Sequence, residues 1–252
     1  MARPVTLITG ASAGLGAEFA RQCARRGESL ALAARRRDRL EALAKEIGGD
    51  AAIFEADLAL PDSAASLINE VEAEGLQIDA LINNAGFGLA GRFAALPLER
   101  QREMIDLNVR TLTELCRLVL PGMMERGRGA ILNVASTAAF QPGPNMAVYY
   151  ASKAYVLSFT EALHHELKGS GIRVSCLCPG PTESEFSDVA GSKSPALERI
   201  KGPAAPVVSA GLRGLDANKA VVVPGWPNKV TAQAHRFLPR STIRRLVGRI
   251  KV

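Results

Sequence analysis

The stretch PVTLITGASAGLG, residues 4–16, sets the reading of everything that follows it. An apolar run enters at Pro4 and stops at Gly10. Gly10, Gly14 and Gly16 bracket a turn, and GAEFARQCARRG (16–27) carries on with helical character to a glycine stop at Gly27. A strand, a glycine turn and a helix in direct succession open a parallel β-α unit. A phosphate group needs bare backbone N–H donors at a helix N-terminus, and glycine lets it come close. The spacing G-x-x-x-G-x-G differs from the G-x-G-x-x-G dinucleotide fingerprint. A tight turn with close helix packing is the competing reading, and the position one strand into the chain favours a cofactor loop.

The same alternation continues outward. SLALAAR (29–35), AAIFEAD (51–57), IDALINNAG (78–86), GAILNVAS (129–136), IRVSCLCPG (172–180) and KAVVVPG (219–225) read as six further strands. Between them lie helical stretches: RRDRLEALAKEIGG (36–49), PDSAASLINEVEAEG (61–75), a long helix from Leu98 to about Met124, and another from Val148 to Lys168. Apolar runs separated by amphipathic helices mean a parallel sheet covered on both faces. With right-handed crossovers this is a doubly wound α/β sandwich of about seven strands, which binds ligands beyond the carboxyl ends of the strands. Residues 1–227 are expected to form one catalytic domain. The irregular stretch 182–206, rich in Ser, Gly, Pro and charge, is a candidate lid.

Bulk numbers narrow the function classes. A chain of 252 residues with 47% hydrophobic and 22% charged side chains has ordinary soluble composition and can bury a large core. No apolar run is long enough for a membrane-spanning helix, and the first residues lack a secretory signal pattern, so a cytoplasmic protein is expected. Cys23, Cys116, Cys176 and Cys178 match neither a disulfide framework nor a zinc site, and read as buried thiols in a reducing compartment. Cys176 and Cys178 alternate on one strand, so both point to one face. Of the 31 basic residues, seven fall in 228–252, a segment with no acid. That leaves 24 basic against 25 acidic residues in the body, a net charge of −1. The overall +6 therefore describes a basic helical tail, and nucleic-acid binding by the main domain is not expected.

The segment NMAVYYASKAYVL (145–157) holds all three tyrosines, Tyr149, Tyr150 and Tyr155, and only Tyr149 has a lysine four residues later, at Lys153. Residues four apart on a helix share a face, so a phenol and an ammonium can share one site. The second strand ends in Ala33-Ala34-Arg35-Arg36-Arg37, with the first acid at Asp38. An acid here would bind a free ribose 2′-hydroxyl, whereas arginine suits a 2′-phosphate, so NADP(H) is favoured over NAD(H). Arg37 and Arg39 read as the solvated start of the next helix. Asn83 reads as a turn brace. Asn108 interrupts a helical pattern that does not call for it. Ser136 closes the fifth strand, where a serine is often only a cap.

Together these pieces resemble the short-chain dehydrogenase/reductase family in its single-domain form. TGASAGLG, NNAG, LNV at 107–109, AS at 135–136, YYASK and PGPTES occur in the family's order, and the likeness covers about residues 4–185. It implies a Rossmann-type fold and an NADP(H)-dependent oxidoreductase that interconverts a carbonyl and an alcohol. Asn108, Ser136, Tyr149 and Lys153 would be catalytic: Tyr149 the acid–base, Lys153 its partner, Ser136 the holder of the substrate oxygen, Asn108 part of a proton path. Gly10, Ser12, Ala13, Gly14, Leu15 and Gly16 match the pyrophosphate loop, and Arg35 and Arg36 would take the 2′-phosphate. Asp57 and Leu58 match the adenine side, and Asn84, Ala85 and Gly86 the ribose-side turn. Pro179, Gly180 and Thr182 match the segment over the nicotinamide, where Tyr149 and Lys153 also meet the cofactor. Ser184 stands where the family often has threonine, and Ala13 where many NADP-dependent relatives have a basic residue. No metal is implied. A homodimer or homotetramer is, through the helices carrying Asn108 and Tyr149.

Free tyrosine titrates near 10, and a neighbouring Lys⁺ is expected to lower that value. The expected substrate walls are apolar. Ser136, Tyr149, Phe140, Pro142 and Phe186 are candidate substrate contacts, with Pro144, Met146, Phe87 and Leu89 nearby, which suits a lipophilic ketone, aldehyde or acyl chain. In the tail, Ile243, Leu246, Val247 and Ile250 lie at helical spacing beside Arg244, Arg245 and Arg249. Such a helix can dock on its own domain or on a second subunit, or touch an anionic membrane surface weakly. The competing functions are a nucleotide-binding regulatory protein and a membrane-surface protein that keep the fold.

Overall fold

In the computed structural model, residues 2–49, 51–192, 194, 199–234 and 237–248 are described. Parts of the expected lid (193 and 195–198) and of the expected tail (235–236 and 249–252, with Arg236, Arg249, Ile250 and Lys251) lie outside them.

Seven strands form the sheet: β1 Arg3–Thr9, β2 Leu30–Ala34, β3 Ala52–Glu55, β4 Leu76–Asn83, β5 Gly129–Val134, β6 Ile172–Leu177 and β7 Val221–Val222. Their order is β3-β2-β1-β4-β5-β6-β7, with every pair parallel. Ile8 sits between Leu32 and Ile82 in register. The five residues of β2, Leu-Ala-Leu-Ala-Ala, are all buried, because helices cover both faces and no position is left for a polar side chain. The helices are α1 Gly14–Arg25, α2 Arg37–Ile47, α3 Ser63–Ala73, α4 Leu98–Ile105, α5 Leu112–Glu125, α6 Ala147–Glu166, α7 Phe186–Ala190, α8 Ala204–Asp216, α9 Trp226–Gln233 and α10 Arg240–Gly248.

Two core clusters result, one on each face of the sheet. Phe19 of α1, Leu40 of α2 and Leu212 of α8 pack on Ile8, Leu32 and Leu132. Leu67 of α3, Leu115 of α5 and Leu163 of α6 pack on Leu7, Leu81 and Val174. The sheet is wound in opposite directions from β1 and β4, so the connections after them leave to opposite faces above Thr9-Gly10 and Asn83-Asn84, where sheets of this kind bind ligands in a crevice.

Several elements differ from expectation. The third strand ends at Glu55, and Asp57 lies in the turn after it, its Oδ1 accepting from Ala59 N at 3.1 Å. The seventh strand is two residues long. The helix expected from Leu98 to Met124 is continuous but widens into a π segment at Asp106–Thr111, around Asn108. Single π turns of this kind insert one extra residue and re-aim side chains, often at functional sites. The expected irregular stretch 182–206 contains α7, and its ends are joined by a bridge between Thr182 and Gly202. All four cysteines are buried and free, and Sγ of Cys176 and Cys178 lie 3.8 Å apart on one face. His164 Nδ1 pairs with the Val174 carbonyl at 2.7 Å, joining α6 to β6.

The described part of the tail folds back. Ile243 and Val247 of α10 are buried, and Gly248 lies against Pro144. Leu246 stays half exposed. No helix among the described residues is long and apolar enough to cross a membrane.

Candidate active site at the carboxyl edge of the sheet

The crevice is built by short side chains that close on backbone. Thr9, at the end of β1, accepts at Oγ1 from both Asn84 N and Ala85 N at 3.1 Å. Asn84 answers by donating Nδ2 to the carbonyls of Thr9 at 2.9 Å and Gly10 at 3.2 Å. Sequence reasoning passed over Thr9. Its only signal was a hydroxyl among apolar residues at a strand end. Gly10 has φ +65°, and a Cβ on Gly16 would lie 2.1 Å from the Gly10 carbonyl oxygen and 2.6 Å from Asn84 Nδ2. Those two positions admit only glycine, which lets the loop pass close against Asn84 and Ala85.

The N-terminus of α1 has no side-chain cap and no acid in its first turn. It is the positive end of a helix dipole with its donors left for an anion, and the residues present fit a dinucleotide pyrophosphate. Arg36 reaches over the loop to Ser12 Oγ, at 3.4 Å from Nε and 3.3 Å from Nη2. Arg35 stands 4.0 Å from Asp57. Arg37 pairs with Glu41 on an exposed helix face, as expected of a solvated residue. Arg39 is exposed as well, and together with Arg36 it also pairs to Glu185. Sequence distance hid this contact, since 146 residues separate the partners. Leu58 turns its side chain into the core, and its carbonyl accepts from Thr111 Oγ1 at 2.6 Å.

The chemistry-bearing side chains meet above β5. Tyr149 and Lys153 lie one turn apart on α6 and both are buried. Ser136, directly after β5, accepts from Ala138 N at 3.1 Å, so it does cap the turn Thr137–Phe140. Its hydroxyl donates to the Pro179 carbonyl at 3.5 Å and acts to lower the pKa of the Tyr149 phenol. Lys153 Nζ donates to the Val134 carbonyl at 2.8 Å. Burial pulls its pKa down to about 8. Burial pushes the Tyr149 phenol up to about 12, with the Ser136 hydroxyl opposing. This corrects the expected lowering of the phenol by its lysine. The ammonium is engaged by a backbone carbonyl beneath the ring, and desolvation outweighs any help it gives.

Asn108 is buried, not solvated. Its Oδ1 accepts from Phe87 N at 3.1 Å, and its Nδ2 donates to Phe87 O at 2.9 Å and Ser152 Oγ at 3.1 Å. It thereby clamps the turn after β4 to α6. A Cβ on Gly86 would meet Asn108 Oδ1 at 2.8 Å and Lys153 Nζ at 3.4 Å. Asn83 braces as expected, donating to Asn133 Oδ1 at 3.0 Å.

Around Tyr149 lies a separate apolar cluster of Phe87, Leu89, Met104, Met146, Tyr150 and Phe186. The Phe186 ring is 5.1 Å from the Tyr149 ring. Phe140, expected in this wall, packs on the larger core instead. Pro142 is only partly buried and is not among that cluster. Tyr150 and Met104 belong to it and were not anticipated. Pro179 accepts at its carbonyl from Thr137 N at 2.8 Å. Gly180 abuts the Asn228 amide, and Thr182 Oγ1 donates to the Gly180 carbonyl at 2.9 Å. Among the described residues no group of three or more His, Cys, Asp or Glu side chains is placed to hold a metal ion.

Comparison with known proteins places the chain among oxidoreductases of one family. A family model for short chain dehydrogenases matches residues 4–194. Sulfoacetaldehyde reductase 2 of Chromohalobacter salexigens is 40% identical over 187 residues, 73% of this chain and 74% of that one. A short-chain dehydrogenase from Sphingobium yanoikuyae, solved in complex with NADPH, is 35% identical with a TM-score of 0.82, covering 93% of both chains. A 3-ketoacyl-(acyl-carrier-protein) reductase from Brucella melitensis, solved with NADH, is 28% identical with a TM-score of 0.80, over 87% of this chain and 96% of that one.

Proposed function

The chain belongs to the short-chain dehydrogenase/reductase family and is an oxidoreductase; from that premise we propose that it interconverts a carbonyl and a secondary alcohol with NADP(H), on a lipophilic ketone, aldehyde or acyl-type substrate. The observation that carries this reading is a buried Tyr149 phenol set in an apolar cluster, one helical turn from a buried lysine and within the influence of the Ser136 hydroxyl.

When bound, the nicotinamide supplies or takes up the hydride. The chain's own residues do the rest. Tyr149, a protonated phenol at neutral pH, donates its hydroxyl proton to the carbonyl oxygen as negative charge grows there. Ser136 presents a hydroxyl to the same oxygen and needs little reorganisation to stabilise that charge. Lys153 ties α6 to the end of β5 through Val134, which keeps Tyr149 over Ser136. Asn108 holds the turn after β4 against the same helix. Phe87, Leu89, Met146, Tyr150 and Phe186 exclude water from the reacting oxygen and favour an apolar substrate body. Arg35 and Arg36 support the choice of NADP(H), as does the NADPH bound by the Sphingobium relative. The NADH bound by the Brucella relative keeps the cofactor preference a matter for measurement.

Ile105 and Leu118 are exposed on the helices flanking Asn108, and Tyr155 on α6, which supports a homodimer or homotetramer through that face. Four free buried thiols suit a cytoplasmic setting. The tail is read as docked on its own domain, because Ile243 and Val247 face inward.

The test follows NADPH absorbance with aromatic ketones, diketones and 3-oxoacyl esters, against the same panel with NADH. Turnover of apolar carbonyls with NADPH is expected. NADPH binding with no turnover of any carbonyl would favour a regulatory nucleotide-binding protein.

A further inference from the structure

Glu185 lies in the segment after β6, far along the chain from the basic cluster at the end of β2, yet its carboxylate sits in that cluster. Its Oε2 is 2.8 Å from Arg36 Nη2, and its Oε1 pairs with Arg39 Nη1. The two guanidinium groups hold the Glu185 carboxyl below the usual carboxylate range. Arg36 also touches Ser12 of the glycine loop. The segment presses on that loop: a Cβ on Gly14 would lie 2.9 Å from Ser184 Cβ. The residue after Glu185 is Phe186, whose ring packs on Tyr149. One dipeptide thus connects the expected ribose end of the cofactor site with the phenol at the other.

We propose that Glu185 determines cofactor specificity: it fills the anion site made by Arg36 and Arg39, competes with the cofactor's 2′-phosphate for both guanidinium groups, and couples that competition to the position of Phe186 over Tyr149. This rests on the NADP(H) reading. A carboxylate and a phosphate both match the guanidinium fork, but the phosphate brings the larger charge and more acceptor oxygens. The two anions repel at one site, so a 2′-phosphate that takes Arg36 releases Glu185 and shifts the segment that carries Phe186. A cofactor with a free 2′-hydroxyl has no such effect and leaves the segment latched. The half-exposed setting of all three side chains keeps the competition modest and reversible.

The experiment compares the full chain with Glu185→Gln, which removes the charge at a half-exposed position and keeps the side chain's length. NADPH and NADH affinities are read from cofactor fluorescence. Hydrogen exchange of residues 183–190 is read with 2′,5′-ADP or ADP, neither of which carries a nicotinamide. The variant is expected to bind NADPH about fivefold more tightly, with NADH affinity unchanged. In the native chain 2′,5′-ADP should speed exchange in 183–190 and ADP should not. In the variant, exchange should already be fast without ligand. NADPH binding that is normal in the native chain but unchanged or weaker in Glu185→Gln overturns the competition alone, as does weaker NADH binding in the variant. Equal effects of 2′,5′-ADP and ADP on exchange overturn the coupling. No binding of either dinucleotide to the native chain overturns the cofactor reading itself, and the competition with it.

Discussion

Tyr149 and Lys153 share one face of α6, yet the lysine nitrogen lies 5.9 Å from the centre of the tyrosine ring and donates to the Val134 carbonyl instead of to the phenol. In the proposed reaction the phenol is the proton donor, while the ammonium ties the helix that carries it to the end of β5.

Tyr149→Phe should lower the rate of NADPH-dependent carbonyl reduction by about 10²–10⁴-fold, the usual worth of a positioned general acid, and leave NADPH affinity nearly unchanged. Steady-state rates and fluorescence titration check both parts. Equal activity in the variant would reject Tyr149 as the acid.

Lys153 makes stability depend on alkaline pH. Its ordinary value is 10.5 and burial lowers it to about 8, so between those pH values the unfolded chain holds a proton that the folded chain has shed. Stability contributed by this group therefore rises with pH across that window, by on the order of 3 kcal/mol in total. The Tyr149 phenol acts in the opposite sense at higher pH, from 10 to about 12, where the folded chain keeps its proton longer. Melting temperature against pH for the native chain and Lys153→Met checks the first effect. A difference between the two curves that stays constant from pH 8 to 10.5 would refute it. The same variant should lose both turnover and cofactor affinity.

Asn108→Ala should cost about 1–3 kcal/mol in stability, because Phe87 N, Phe87 O and Ser152 Oγ lose their partner in a buried place. Denaturant unfolding measures it. A change below a few tenths of a kcal/mol would mean that water replaces the amide without loss.

Gly16→Ala should abolish dinucleotide binding, since the added Cβ meets the Gly10 carbonyl at 2.1 Å and must push the loop open. A stability loss of about 1–3 kcal/mol is expected alongside. Retained NADPH affinity in this variant would show that the loop is not the pyrophosphate site.

Ile243→Asp should destabilise the chain by about 2 kcal/mol, as a carboxylate replaces a buried aliphatic side chain. The native chain is expected to stay in the supernatant with anionic vesicles even at low salt. Co-sedimentation at low salt would reassign the tail to a membrane surface, using the exposed Trp226, Phe237 and Leu246.

Much of this was legible in the sequence because it rests on local demands. Strand, glycine turn and helix at 4–27 declare themselves by period and by the absence of side chains. The alternating pattern gave a parallel seven-stranded sheet, and the four-residue spacing put Tyr149 and Lys153 on one face. Burial of Asn108, the bracing by Thr9, the placement of Phe140 in the main core and the pairing of Arg39 with Glu185 were not legible. Each depends on groups brought together from distant parts of the chain.

The amino-acid order by itself determined the fold class, the glycine turn after β1 and the shared helix face of Tyr149 and Lys153, because periodicity and steric room act between near neighbours. Only the tertiary structure decided the direction in which the Tyr149 pKa moves, the backbone partner of Lys153 and the carboxylate paired with Arg36 and Arg39. Desolvation and ion pairing depend on what surrounds a group in space, and no local pattern encodes that.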